Sequence, residues 1–407
     1  MSASTPVAAD VRHLHQESGG VEDDGTPEDE LRTDAGRWPE DMETRFYAEG
    51  SMAIPGQGDR GENCGEWYPM EFCDSCGEPH LGVSRCEQRT CPRCWAAWTR
   101  RRSEKITRRL GAARYAADEG VSKRAVHAVV SPPEGEVRTL ADVSAGYRDA
   151  YELAKEKGVR GGVVIFHGFR VTDDAKALYD AALAAGTWDE DEDGKLWSFV
   201  RQHEKRRERG IGGGNWRDMT YWSPHWHILG LSRDFEEDDP DAQGGWVARR
   251  IRSLESFKLQ KDAGYEDMVG AAMYLLSHGT FETDTSKDCV RWFGDLATTN
   301  FSPEEELSEG SLSVIERKAA EAAAVTEESG EGDEPEPCDE CGATSRSPIW
   351  DAGAALMDRS WCERIGAEQQ QRLSAAFEWA IGERMPPPGA KNPQTEDEAR
   401  EALELLL

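Results

Sequence analysis

The sequence predicts an α+β protein: a sheet covered by helices on one face, preceded by a cysteine-rich metal-binding module. Three observations lead there. Between residues 125 and 300, β-branched runs alternate with segments of helical spacing. That alternation comes without a Gly-rich nucleotide-binding turn, which suggests α+β. Upstream, two CxxC pairs, Cys73/Cys76 and Cys91/Cys94, sit close together.

The elements follow in order. AVHAVVSPP (125–133) is a β-branched run stopped by a proline pair, hence a strand and a turn. DVSAGYRDAYELAKEKG (142–158) has helical spacing and closes on Gly158. GGVVIFHGFRV (161–171) and TYWSPHWHILGLS (220–232) read as further strands, while residues 245–260 fit helix or strand. YEDMVGAAMYLLSHG (265–279) is helical and ends on Gly279. Around this main domain (121–300), residues 1–62 are acidic, Gly/Pro-rich and expected to be disordered. Residues 63–120 hold the cysteine module and a basic helix. Residues 301–337 form an acidic linker with one helix near 311–324. Residues 338–407 make a small C-terminal region with a third CxxC and a helical pattern at 364–384.

Charge narrows the setting. The chain has 79 Asp and Glu against 48 Lys and Arg, a net charge of −31, and Arg far outnumbers Lys. Acids are dense even between the motifs, as in EEDDPD, which reads as a halophilic surface. No basic start followed by an apolar core marks a secretion signal. No apolar run approaches the ~20 residues that span a bilayer. The expectation is a soluble cytoplasmic protein without a membrane partner, where CxxC pairs suit metal better than disulfides.

The run YWSPHWHILGL places His225 and His227 one residue apart. Side chains alternate along a strand, so both imidazoles face one way while Trp226 and Ile228 face the other. Two neutral imidazoles on a rigid strand can converge on one divalent cation. Downstream, YLLSH places Tyr274 and His278 four apart, on one helical face. A phenol one turn from a metal ligand suits nucleophilic attack on a metal-polarised phosphate. Tyr265, nine residues earlier, points away by about half a turn.

HWH preceded by Pro224 and followed by a tyrosine helix resembles the HUH endonucleases, in which U is a hydrophobic residue. These include rolling-circle replication initiators, conjugative relaxases and single-strand transposases. The order VVSPP, VVIFHGFR, SPHWHILG, YLLSH is similar to Rep proteins of haloarchaeal plasmids and viruses, over roughly residues 70–290. The resemblance implies an RRM/ferredoxin-like fold with a central antiparallel sheet carrying the HUH strand and the tyrosine helix packed beside it. It implies nicking and religation of one strand of origin DNA through a 5′-phosphotyrosine, with Mg²⁺ or Mn²⁺. Carried over, His225 and His227 are metal ligands and Tyr274 is the nucleophile. The usual initiator motif is YxxxK; here His278 stands at the Lys position and is expected to complete the metal site. His167, ending an apolar strand, is read as a histidine bonded to backbone and left outside the set. With no GxxxxGK[ST] motif, unwinding falls to a host helicase. The alternatives are a transposase or mobilisation relaxase, and a non-enzymatic zinc-containing DNA-binding regulator.

In CDSCGEPHLGVSRCEQRTCPRC (73–94), Cys73, Cys76, Cys91 and Cys94 are expected to bind one tetrahedral zinc, with Cys86 as an alternate ligand. Cys64 and His80 are weaker candidates, and Cys338/Cys341 with Cys362 nearby suggest a second site. The helix that follows carries Arg100, Arg101, Arg102, Lys105, Arg108 and Arg109, expected to contact DNA phosphates. A second basic run, RQHEKRRERG (201–210), reads either as a DNA-contacting flank of the HxH strand or as a plain loop. At molar salt the Debye length falls to ~3 Å. Close bidentate Arg contacts would then have to replace long-range steering.

Overall fold

The computed structural model describes residues 47–61, 63–116, 124–232, 235–238, 245–254, 263–283, 288–325, 338, 340–380 and 393–406. Residues 1–46 of the expected disordered N-terminus and 326–337 of the expected linker lie outside them. The chain is α+β with antiparallel sheets. A hairpin, β1 (Trp67–Cys73) and β2 (Pro79–Val83), is followed by helix α1 (Trp95–Ala116). Strand β3 (Arg124–Ser131), helix α2 (Leu140–Glu156) and strand β4 (Val159–Val171) come next, then helices α3 (Asp173–Ala184) and α4 (Leu196–Arg201). Strands β5 (Thr220–Ser232) and β6 (Val247–Ser253) lead to helix α5 (Ala263–Ser277) and strand β7 (Val290–Gly294). Helix α6 (Glu309–Val325), strand β8 (Arg346–Pro348) and helices α7 (Ala367–Ala380) and α8 (Glu396–Glu404) complete the larger elements.

Five strands form an antiparallel sheet in the order β6-β3-β5-β4-β7. The HxH strand β5 is its middle strand, bonded to β3 on one edge and β4 on the other. Register decides what shares a face, because directly opposed residues project to the same side. His225 pairs with His167, His227 with Ile165 and Val129, and Leu229 with His127. Four histidines from three strands therefore lie on one face. Trp226, Ile228, Phe166 and Val130 lie on the other.

Helix α2 covers that second face. It starts on a capping box between Thr139 and Asp142 and stops at Gly158, whose φ is 96°. Its Tyr147 meets Trp226 edge-on at 6.3 Å between ring centroids. Contact is close because Gly146 has no side chain: a Cβ there would lie 2.3 Å from the Trp226 ring. The histidine face is covered in turn by α5, with α1 and α6 packed on it. The sheet thus has helices on both faces, not one. The reason is visible in β4, where all but two residues are buried: a strand apolar on both sides must be covered on both.

Helix α1 is basic, yet it is part of the core. Thr99, Ser103, Ile106, Thr107, Leu110 and Ala113 recur at three- and four-residue steps and are buried. Tyr265 is fully buried, and a Cβ at Gly111 of α1 would lie 3.3 Å from its ring and from Ile315 of α6. The helix expected in the acidic linker is α6, and its Ile315, Ala319 and Ala323 close the same core.

A second, smaller core joins distant parts of the chain. Strand β8 pairs with β1, making the order β8-β1-β2. Phe72 of β1 packs with Ile349, Trp361, Leu373, Trp379 and Leu403. The Trp361 indole donates to the Asp74 carbonyl at 2.8 Å, and Arg372 bridges Glu78 and Glu404. The hairpin assigned by sequence to the 63–120 module is therefore built together with the C-terminal region. Among the described residues no helix is long and apolar enough to cross a membrane.

Replacing Gly146 with Val should destabilise the protein by about 1–3 kcal/mol, because the fully buried Trp226 cannot retreat. Denaturant unfolding followed by tryptophan fluorescence measures it.

Candidate active site and metal centres

One ring nitrogen from each of His167, His225 and His227 lies within 4.8 Å of the others. The remaining nitrogens are engaged in hydrogen bonds that choose the tautomers. His167 Nε2 is 3.0 Å from the Leu275 carbonyl, and His225 Nδ1 is 2.6 Å from the Ser223 carbonyl. A carbonyl only accepts, so both nitrogens carry the proton and donate it. That leaves lone pairs on His167 Nδ1 and His225 Nε2. His227 Nδ1 is 2.9 Å from His127 Nε2; with His127 accepting, His227 Nε2 keeps its lone pair. Partners of this kind orient metal-binding imidazoles.

Burial keeps these rings neutral. It brings His127 and His167 down to about 3, with the nearby Arg252 acting in the same direction on His127. Burial, then Arg170 and His167, hold His225 well below the ordinary histidine range. Burial and the neighbouring imidazoles do the same for His227. Neutral imidazole is the form that binds a cation. Among the described residues no carboxylate joins the group, so its donors are all nitrogen.

Tyr274 is 50% exposed, whereas the next two residues, Leu275 and Leu276, are fully buried. The end of α5 that carries it is fixed to β4, the strand of His167. Beside the His167–Leu275 bond, Thr280 N donates to the Phe166 carbonyl and Gly168 N donates to the Thr280 hydroxyl, each at 2.7 Å. Arg201 donates to the Ser277 carbonyl at 2.6 Å and lies over the Trp95 ring, joining α5 to the start of α1. A row of rings leads inward from the phenol: Tyr274 to His278 at 4.7 Å between centroids, then His278 to His167 at 4.3 Å.

His278 itself lies outside the converging group. It sits one residue past the end of α5, stacked on Trp197 at 4.7 Å and 11°, with Nδ1 3.2 Å from the Ser277 hydroxyl. The third imidazole in the group is His167, which does make the backbone bond expected of it and still converges with His225 and His227. Neither its cross-strand position nor the role of His127 has a signal in the linear sequence. Both depend on register.

Eight of the ten cysteines form two clusters of four, Cys64/Cys86/Cys91/Cys94 and Cys73/Cys76/Cys338/Cys341, each of which could hold a metal ion. The expected set of Cys73, Cys76, Cys91 and Cys94 is not brought together. The β1–β2 hairpin pairs with β8, and this carries Cys73 and Cys76 to the C-terminal CxxC. Cys64, a weaker candidate by sequence, and Cys86, the alternate, complete the set with Cys91 and Cys94. Cys64 Sγ lies 3.5 Å from both Cys91 Sγ and Cys94 Sγ; Cys73–Cys341 and Cys76–Cys338 are 3.5 and 3.6 Å apart. Disulfide sulfurs would be ~2 Å apart. A tetrahedral ion with ~2.3 Å bonds spaces its sulfurs about 3.8 Å apart. Cys362 turns to the Leu356 carbonyl and belongs to neither cluster.

In each cluster one thiol is shifted down while neighbouring thiols are shifted up. Burial raises the Cys64 thiol to about 12. At Cys91 burial is outweighed by hydrogen bonds from the Arg93 N–H and the Cys64 thiol, which bring it down to about 7. At Cys73 burial is likewise outweighed, here by the N–H groups of Cys76 and Ser75, while burial raises Cys76 and Cys338.

Much of the basic helix is occupied by its own chain. Arg101 pairs with Glu87, Arg102 with Asp288 at 2.7 Å, and Arg108 with Glu304 and Glu316. Arg109 donates to the carbonyls of Leu296, Ala297 and Phe301. Arg100 is half-buried, and Lys105 is the one exposed member of the six. In the second basic run, Arg201 and Arg206 are buried, and Lys205 and Arg209 converge on the buried Asp193. No protein-family model, curated protein or solved structure matches the chain.

A His127→Phe variant keeps the buried ring but removes the acceptor for His227 Nδ1. Divalent-cation affinity should fall about 10–100-fold with the fold intact, read by titration calorimetry beside near-UV circular dichroism.

Proposed function

We propose that the chain is a metal-dependent HUH-type endonuclease and strand transferase that nicks and rejoins single-stranded origin DNA, as a rolling-circle replication initiator does. What supports the reading is the neighbourhood of three neutral, pre-oriented imidazoles from β4 and β5 and an exposed phenol on a helix bonded to His167 of β4. The central position of the HxH strand in an antiparallel sheet is in keeping with it.

His167, His225 and His227 would hold the cation. When bound, it would supply positive charge that polarises the scissile phosphate. Mg²⁺ prefers oxygen ligands, so of the two cations expected an all-imidazole set favours Mn²⁺. Tyr274 Oη attacks phosphorus as the bond to the 3′ oxygen breaks. The phenol proton passes to solvent, and the departing 3′ oxygen takes up a proton. The phosphoryl group remains on the tyrosine as a 5′-phosphotyrosine, and a 3′-OH returning to it reverses the step. In this reading His278, expected from the sequence to complete the metal site, serves instead as packing between the phenol and His167. Zn²⁺ at Cys64, Cys86, Cys91 and Cys94 would fix the start of α1, which packs on the tyrosine helix. Lys105 and the face around Tyr274 would meet the DNA; paired arginines of α1 would join only by leaving their carboxylates.

Incubation with labelled single-stranded origin DNA and Mn²⁺ should give a covalent protein–DNA adduct in the wild type. Tyr274→Phe should abolish the adduct and spare DNA binding, and His225→Ala should abolish metal-dependent nicking. A wild-type chain that binds the strand and leaves it uncut would instead be a DNA-binding regulator. Undiminished nicking by the Phe variant removes Tyr274 from its role.

A further inference from the structure

The smaller core holds a chemical feature that the nuclease reading does not use. Two short segments far apart in the chain have the same form: CDSCG at 73–77 and CDECG at 338–342. Each has a glycine directly after its second cysteine, and both glycines adopt positive φ, 81° at Gly77 and 72° at Gly342. In each, that glycine's N–H donates to the carbonyl of the first cysteine, at 2.8 Å for Gly77 and 2.7 Å for Gly342. A side chain is strained at such a φ, so glycine lets the turn fold back and present both thiols to one point. The two turns then face each other, with Cys73 3.5 Å from Cys341 and Cys76 3.6 Å from Cys338.

The geometry points to a structural zinc ion bound by Cys73, Cys76, Cys338 and Cys341, which clips the C-terminal region onto the β1–β2 hairpin. Four sulfurs at tetrahedral spacing, with no open position for a substrate, define a closed zinc site. The site joins residues more than 260 apart in sequence, where a single cross-link restricts the unfolded chain most. Besides the four sulfurs, the two segments meet through three paired residues of β8 on β1, the Trp361–Asp74, Asp74–Ser345 and Trp67–Pro393 bonds, Gln369 and Arg372 on Glu78, and one small apolar cluster. A core of that size depends on a staple. The clip is also the more accessible of the two cysteine clusters. Cys341 is exposed and Cys76 half-buried, whereas in the other cluster Cys64, Cys91 and Cys94 are all buried. The clip zinc therefore leaves first when a chelator competes, and the C-terminal region is released while the main core stays folded. This inference is independent of the nuclease reading.

The test uses the full chain, purified without chelator. Elemental analysis should find two zinc ions per chain, and the Cys338→Ser/Cys341→Ser double variant should retain one. In cobalt-substituted protein, the thiolate–cobalt absorption should fall by about half in the variant. Protease cleavage within 346–406 should accelerate at least tenfold, with cleavage within 124–294 unchanged. An unchanged zinc content in the variant, iron in place of zinc, or a metal-depleted C-terminal region as resistant as before would overturn the inference. Should the variant not fold, stepwise chelation of the wild type decides. C-terminal cleavage must rise with loss of the first ion, and a rise that waits for the second, or no rise, refutes the clip. Because DNA nicking is not the readout, failure here leaves the tyrosine chemistry unaffected, and the reverse also holds.

Discussion

The hydrogen bonding of β5 on both edges is the constraint from which the rest follows. Held between β3 and β4, the strand cannot slip by a residue without sending Trp226 to the histidine face and the histidines under α2. The packing of Trp226 against Gly146 and Tyr147 therefore does more than stabilise a core. It fixes the side on which four imidazoles emerge. Burying a tryptophan and its aromatic neighbours on one face secures a polar arrangement on the other, which could not hold its own register.

That polar arrangement is costly unless something satisfies it. Imidazoles in an apolar interior resist charging, so they remain neutral, and the second nitrogen of each converging ring finds a partner. The result is a set of lone pairs without protons, already oriented. Such preorganisation is what a cation site needs, because little rearrangement accompanies binding. The same hydrogen bond that orients His167 runs to Leu275, beside Tyr274, so one contact fixes both a candidate ligand and the helix bearing the phenol.

Charge is handled in a similar way elsewhere. The chain is strongly acidic, and among the described residues most arginines of α1 are taken up by nearby carboxylates and carbonyls. Exposed pairs of this kind contribute little, about 0–1 kcal/mol each, but they leave few cations for long-range attraction. Helix α1 shows how composition alone misleads here. Its arginines suggest a phosphate-binding surface, while the stripe from Thr99 to Ala113 makes it a strut between α5 and α6.

The linear sequence determined what depends on neighbours within a few residues. Strand alternation put His225 and His227 on one side and Trp226 on the other. Glycine and proline punctuation bounded β3, α2, β4, β5 and α5 to within a few residues, and β5 matches its expected span of 220–232, whereas α3, α4 and β7 had no such reading and β6 fell in a stretch that fitted helix or strand. Helical spacing separated Tyr274, exposed, from Tyr265, buried. Contacts between distant segments were decided only by the tertiary structure. His167 and His127 join the site through sheet register, His278 is drawn aside by Trp197, and the CxxC pairs are exchanged between clusters because β8 adds to the β1–β2 hairpin. The physical reason is the same throughout. A local pattern fixes the direction in which a side chain points, and only the packing of strands and helices fixes what it meets there.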